Sequence, residues 1–173
     1  SESAHVSGVE RGSHLHFEIE NYLKNQVDPN SDEAKWAINQ INQFDSNEWS
    51  FEAEKLHKFD LFGYMITGIA DLVMTSEKHK KLKIWDFKTG LRDQDNEKAY
   101  WFQLMLYAWS YRDQFADIEV SLVYLDEKKT LSQTLSKLDM FESIDQELQK
   151  IRQLFVMNTN HCQKCLFNRL CKA

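Results

Sequence analysis

The segment Leu82-Lys83-Ile84-Trp85-Asp86-Phe87-Lys88 is largely apolar but carries Asp86 and Lys88 two residues apart. Side chains alternate faces along a strand, so both of these charges project to one side and Trp85 and Phe87 to the other. Fifteen residues before Asp86 stands Asp71, inside Gly68-Ile69-Ala70-Asp71-Leu72-Val73, where a lone charge among apolar neighbours is costly. The polar stretch from Thr75 to Lys80 predicts a loop that folds the two segments into neighbouring antiparallel strands. Two carboxylates and one ammonium then meet on a sheet. Such a set can hold a hard divalent cation and handle a proton on an attacking water.

Periodicity supplies the surroundings of this pair. Residues Glu10 to Gln26 predict a helix with Leu15, Ile19, Tyr22 and Leu23 as its apolar stripe. Asn30 followed by Glu33 has the spacing of a capping box for a second helix that runs to about Phe44. Trp49 to Phe59 alternates as a first strand, Leu61 to Met74 forms the second, and Lys81 to Lys88 the third. Ala99 to Asp113 predicts a helix with Phe102, Leu106 and Trp109 on one face. Ile118 to Tyr124 alternates as a strand, Thr130 to Ser136 is its expected edge partner, and Asp139 to Met157 is strongly amphipathic. The expected class is α/β, a mixed central sheet flanked by helices. The expected division is a core over residues 1–157 and a cysteine-rich tail over 158–173 packed on the same domain.

At 173 residues the chain can bury a full core, and 42% hydrophobic and 13% aromatic residues argue against disorder. No apolar run approaches the ~18 residues of a membrane span. The net charge of −6 disfavours a protein that coats nucleic acid by bulk charge. It is compatible with acidic metal ligands, because bound cations supply the local positive field. Three cysteines, all between 162 and 171, make no even disulfide framework and point to a reducing, intracellular setting.

These residues carry a resemblance. Gly68-x-x-Asp71, then Asp86-Phe87-Lys88-Thr89-Gly90, then Gln103-x-x-x-Tyr107 are similar to the PD-(D/E)XK nuclease superfamily, specifically its RecB-like exonuclease branch. Gly12-x-x-x-His16-x-x-x-Glu20 resembles that branch's first-helix signature. Four short motifs in the family's order, from residue 12 to 107, are more specific than any one alone. Ala70 stands where the superfamily's name has proline.

The resemblance implies a restriction-endonuclease-like core and roles for single residues. Asp71, Asp86 and Lys88 are the implied catalytic group. His16, Asp71, Asp86 and the Phe87 carbonyl are the implied ligands of Mg²⁺ or Mn²⁺, with the nitrogen of His16 favouring Mn²⁺. His16 is preferred over His14 because it keeps the spacing from Gly12. Gln103 and Tyr107, four apart on a helix, are implied to contact the DNA backbone or support Lys88. Glu54 resembles a further family carboxylate.

The tail His161-Cys162-x-x-Cys165-x-x-x-x-x-Cys171 has the spacing of a metal site. It resembles three of the four ligands of the 4Fe-4S cluster in AddB-type and CRISPR-adaptation exonucleases. A cluster with a fourth ligand from outside this chain, a cluster completed by His161, and zinc held as Cys₃His are the alternatives, beside the plain reading of three free thiols. The implied function is a metal-dependent exonuclease acting on single-stranded DNA ends in recombination, repair or replication, in partnership with a helicase or recombination protein. A cytoplasmic, nucleoid-associated, organellar or phage setting fits. A catalytically silent DNA-binding module and a zinc-stabilised interaction protein are the competing readings.

Overall fold

The computed structural model of the protein describes residues 2–90, 92 and 94–154. Its elements run α1 (Glu2–Asn25), α2 (Asp32–Ile41), β1 (Ser50–Leu61), β2 (Tyr64–Ser76), β3 (Lys81–Lys88), α3 (Gln94–Trp109), β4 (Asp117–Tyr124), β5 (Lys129–Leu135) and α4 (Lys137–Leu154). Two compact units divide the chain, 1–140 and 141–173, and the described part of the second is the remainder of α4. The cysteine tail, with Cys162, Cys165 and Cys171, lies outside the described residues.

The five strands form one sheet in the order β1-β2-β3-β4-β5. All neighbours are antiparallel except β3 and β4, which are parallel and joined through α3. Parallel neighbours need such a crossover because a tight turn cannot reverse the chain twice. On one side, Leu72, Met74, Trp85, Phe87 and Val123 pack with Leu15 and Ile19 of α1 and Ala34, Ala37 and Ile41 of α2. Each large apolar side chain so buried contributes about 1.5–3 kcal/mol. α3 packs along β4, β3 and β2.

The strand pairing creates an opening at the middle of β2. β1 pairs with β2 from Ser50 to Leu61 except at Glu54, but β3 pairs with β2 only from Leu72 to Ser76. The outer half of the β1–β2 ribbon therefore runs past the end of the β2–β3 ladder. Extending the register of Leu72 with Ala53 and Trp85 by one residue puts Glu54, Asp71 and Asp86 in one cross-strand row, yet neither of those pairings forms. At this row Glu54 takes a left-handed backbone, with φ 52°. For a residue with a Cβ that conformation costs roughly 1–2 kcal/mol. The ribbon turns over across the row. Leu72 lies in the cluster of α1, whereas Gly68, four residues earlier, has its open side against Tyr107 of α3.

Three local expectations from the sequence are corrected. The boundary between the first two strands falls at Phe62-Gly63, not at Asp60: both residues have positive φ, 51° and 89°, and Asp60 accepts the Gly63 N–H, the chemistry of a tight hairpin turn. The Asn30–Glu33 capping box does not form. Ser31 is the N-cap of α2, and the buried Glu18 of α1 accepts the Asn30 and Ser31 N–H groups at 3.0 and 3.3 Å together with the Ser31 hydroxyl. Burial alone would raise the Glu18 pKa, but these donors outweigh it and hold the carboxylate below its ordinary value. Glu33 is drawn to Arg11 instead. On α3 the buried residues are Leu104, Tyr107, Ala108 and Trp109; of the expected face Trp109 is buried and Phe102 and Leu106 are only half-buried, because the helix turns its 104/108 face to the sheet.

Gly68 is one point where the ribbon and α3 touch. A Cβ there would sit 2.4 Å from the Tyr107 hydroxyl and 2.8 Å from its ring. Gly68→Ala is expected to lower stability by about 1–3 kcal/mol, the range for overpacking. Adding Tyr107→Phe, which removes the hydroxyl but leaves the ring, is expected to restore part of that loss. Thermal denaturation of the three variants measures both effects.

Candidate active site

Asp71 bridges the opening between β2 and β3. Its Oδ2 accepts the Phe87 N–H at 2.6 Å, taking the place of a ladder bond. Its Oδ1 lies 3.5 Å from His16 Nδ1, and His16 Nε2 lies 3.0 Å from the Phe87 carbonyl oxygen. α1 reaches this point because Leu15 and Ile19 anchor it in the core, which leaves His16, next to Leu15, half-buried at the sheet. His14 points elsewhere, exposed and 3.6 Å from Glu18.

Asp86 is buried and forms an ion pair with Lys88, Oδ2 to Nζ 2.6 Å, without the alignment of a hydrogen bond. The Lys88 ammonium also lies over the Tyr100 ring, 3.9 Å from its centroid, a cation–π contact. Asp86 and Lys88 thus share a side of β3, as the two-residue spacing predicted.

The electrostatics mark this group as one of close, partly buried like charges. Burial, then the nearby Asp71 charge, pushes Asp86 up to about 6 against the pull of Lys88 and His16. Burial, Asp71 and Glu20 raise Glu54 above its ordinary value. Burial works to lower the His16 pKa, but its contacts with Asp71 and the Phe87 carbonyl outweigh it, so the imidazole is raised overall. Carboxylates set opposite one another across a sheet repel, and a positive charge among them removes the repulsion.

A divalent ion fits these residues. His16, Glu54 and Asp71 each offer one ligand atom, and the three atoms lie within 4.8 Å of one another. Oxygen donors with one imidazole suit Mn²⁺ or Mg²⁺. Asp86 stands beside this trio, turned to Lys88. Glu54 enters the centre where the sequence-derived ligand set had His16, Asp71, Asp86 and Phe87. Its position depends on the hairpin register, which the Phe62-Gly63 turn sets, and β1 periodicity alone does not reveal it.

The remaining motif residues pack close to these groups. Gln103 is exposed and donates to the Tyr107 hydroxyl at 2.8 Å, while Tyr107 is buried over Gly68. Of that pair only Gln103 is open to a ligand. Gly12 is placed likewise: a Cβ there would lie 2.8 Å from Thr89 Oγ1, so a larger residue at this approach of α1 to the end of β3 requires the Thr89 side chain to shift. Gly90 has φ 84° and donates its N–H to Asp126, which also pairs with Arg11 of α1. An open cleft of about 680 Å³ runs beside His16 and Lys88, lined also by Arg11, Gly12, Thr89 and Tyr100.

His57 of β1 carried no signal in the sequence. It is 4% exposed, sits opposite Gly68 in the register, and stacks on Tyr107 at 4.7 Å with 20° between the rings. Its Nδ1 lies 3.0 Å from the Lys55 carbonyl oxygen, and its Nε2 has no hydrogen-bond partner among the described residues. Burial lowers its pKa. A neutral ring facing a carbonyl through Nδ1 carries its proton there, which leaves Nε2 a bare acceptor.

No curated protein sequence matches the chain. Among solved structures it is similar to SSO0001, at 18% identity and TM-score 0.39, over 78% of this chain and 65% of that one. It is also similar to a protein from Eubacterium rectale described as a candidate exonuclease, at 13% identity and TM-score 0.49, over 83% of this chain and 66% of that one. The chain spans just under two thirds of either protein. The model of the PD-(D/E)XK nuclease superfamily matches it from residue 6 to residue 172. That match includes every motif from the first-helix glycine to the last cysteine, and this chain belongs to the PD-(D/E)XK nuclease superfamily.

Proposed function

We propose that the protein is a divalent-metal-dependent deoxyribonuclease, an exonuclease that hydrolyses phosphodiester bonds at single-stranded DNA ends in recombination, repair or replication inside the cell. The observation that carries this reading is the row Glu54–Asp71–Asp86 at the opening of the sheet, with His16 across it and Lys88 beside it.

Glu54, Asp71, His16 and the Phe87 carbonyl are the groups that would hold the ion, with Asp86 next to them. Bound there, Mg²⁺ or Mn²⁺ supplies Lewis-acid activation of water and neutralises charge that builds on the phosphate. Asp71 keeps its carboxylate oriented through the Phe87 N–H. Lys88, fixed between Asp86 and Tyr100, orients the attacking water and stabilises the negative charge that develops on it in line with the scissile bond. Gln103 presents an amide to the strand. A helicase or recombination partner that delivers single-stranded ends completes the proposal.

With Mn²⁺, the wild-type chain is expected to shorten single-stranded DNA, and Asp86→Ala or Lys88→Ala to lose about 10²-fold or more of that rate. Equal cleavage by all three proteins would falsify the assignment.

Mn²⁺ affinity, measured by calorimetry, is expected to weaken as pH falls through about 6, where a proton on Asp86 competes with the ion. The same shift has an opposite consequence for the metal-free protein. The folded-state pKa is raised, so ionised Asp86 destabilises the fold fully above about 6 and not at all in acid. Asp86→Asn is therefore expected to stabilise the metal-free protein near neutral pH by about 1 kcal/mol, roughly 2–4 °C in Tm, and to lose this advantage in acid. A lower Tm than wild type at neutral pH would contradict it.

A further inference from the structure

We infer that His57 is a positioning residue for substrate binding, acting through Tyr107 on the exposed amide of Gln103. The inference rests on the nuclease reading and extends it to a residue outside the family motifs.

The chain of contacts is continuous. The Lys55 carbonyl fixes the plane of His57 through Nδ1, 3.0 Å away. His57 stacks nearly parallel on Tyr107, and Tyr111 meets the imidazole edge-on at 5.5 Å. Gly68, the cross-strand partner of His57, meets the hydroxyl end of Tyr107 so closely that even one added carbon would collide with it. Its hydroxyl is thus fixed in position, and that hydroxyl accepts the Gln103 Nε2 at 2.8 Å. Gln103 is the only member of the chain open to solvent. A long amide on an exposed helix face has several rotamers, and a fixed hydroxyl acceptor selects one of them.

Packing alone does not account for histidine here. A leucine or phenylalanine would fill the same site without leaving a bare, buried Nε2. Histidine combines a ring that stacks with a nitrogen that fixes the plane of that ring, and Tyr107 receives both effects.

The test is binding of a short fluorescent oligodeoxythymidylate by the full chain, with Ca²⁺ in place of Mn²⁺, followed by anisotropy. His57→Leu is expected to weaken binding by about threefold to tenfold, the loss of one well-placed hydrogen bond. His57→Phe, which keeps the ring, is expected to lose less. Mn²⁺ affinity by calorimetry is expected to be unchanged in both. In a Gln103→Ala background, His57→Leu is expected to cost nothing further. An equal loss in that background, or a parallel loss of Mn²⁺ affinity, would show that His57 acts by supporting the fold and would overturn the inference. Unimpaired binding by His57→Leu would overturn it while leaving the nuclease reading intact. A wild-type chain that neither binds nor cuts single strands would overturn both.

Discussion

Like charge gathered at one opening in the sheet is the constraint on which the rest of the structure depends. Glu54, Asp71 and Asp86 lie in one row across β1, β2 and β3, at the row where both ladders are interrupted. Regular pairing there would press three carboxylates together inside a protein, where their repulsion is poorly screened. The chain instead separates β3 from β2, turns the Glu54 backbone into the left-handed region, and replaces a ladder bond with the Asp71 side chain. Each of these departures costs stability, and the well-packed strand segments on the inner side of the row carry that cost.

The helices answer to the same row. α1 is held by its apolar stripe and by Arg11, which reaches both Glu33 at the start of α2 and Asp126 after β4. Glu18 ties the beginning of α2 back to α1. The result is that His16 arrives between Asp71 and the Phe87 carbonyl from outside the sheet. α3 approaches from the other layer and brings Tyr100 to Lys88 and Tyr107 to Gly68. Neither helix contributes a carboxylate to the row; each contributes what orients one.

Much of this was legible in the sequence because its signals are local. Asp86-x-Lys88 announces a shared strand face, and the polar gap after Met74 announces a turn between β2 and β3. The heptad-like stripe of Leu15, Ile19 and Tyr22 announces α1. Residues whose role depends on register between distant strands were legible only in outline or not at all. Glu54 meets Asp71 because the hairpin turns at Phe62-Gly63, beyond the expected boundary at Asp60. His57 lies opposite Gly68 for the same reason. The capping of α2 was misread because a carboxylate from another helix, Glu18, supplied what a local Asn30–Glu33 box was expected to supply. On α3 the spacing of Phe102, Leu106 and Trp109 suggested the packing face; Trp109 is buried, but Phe102 and Leu106 are only half-buried, and Tyr107 takes the place against Gly68.

The two glycine contacts have a consequence for how such a site can change over time. Gly12 is shaped by Thr89, and Gly68 by Tyr107, so each pair shares a single volume between two distant stretches of chain. A methyl group gained on one side must be matched by atoms lost on the other. The motifs are therefore not four independent words that can drift or be transplanted one at a time. A designer who grafts Asp71, Asp86 and Lys88 onto a new sheet, without the partner that fills each glycine's empty space, transfers the charges but leaves behind the spacing that makes them a site.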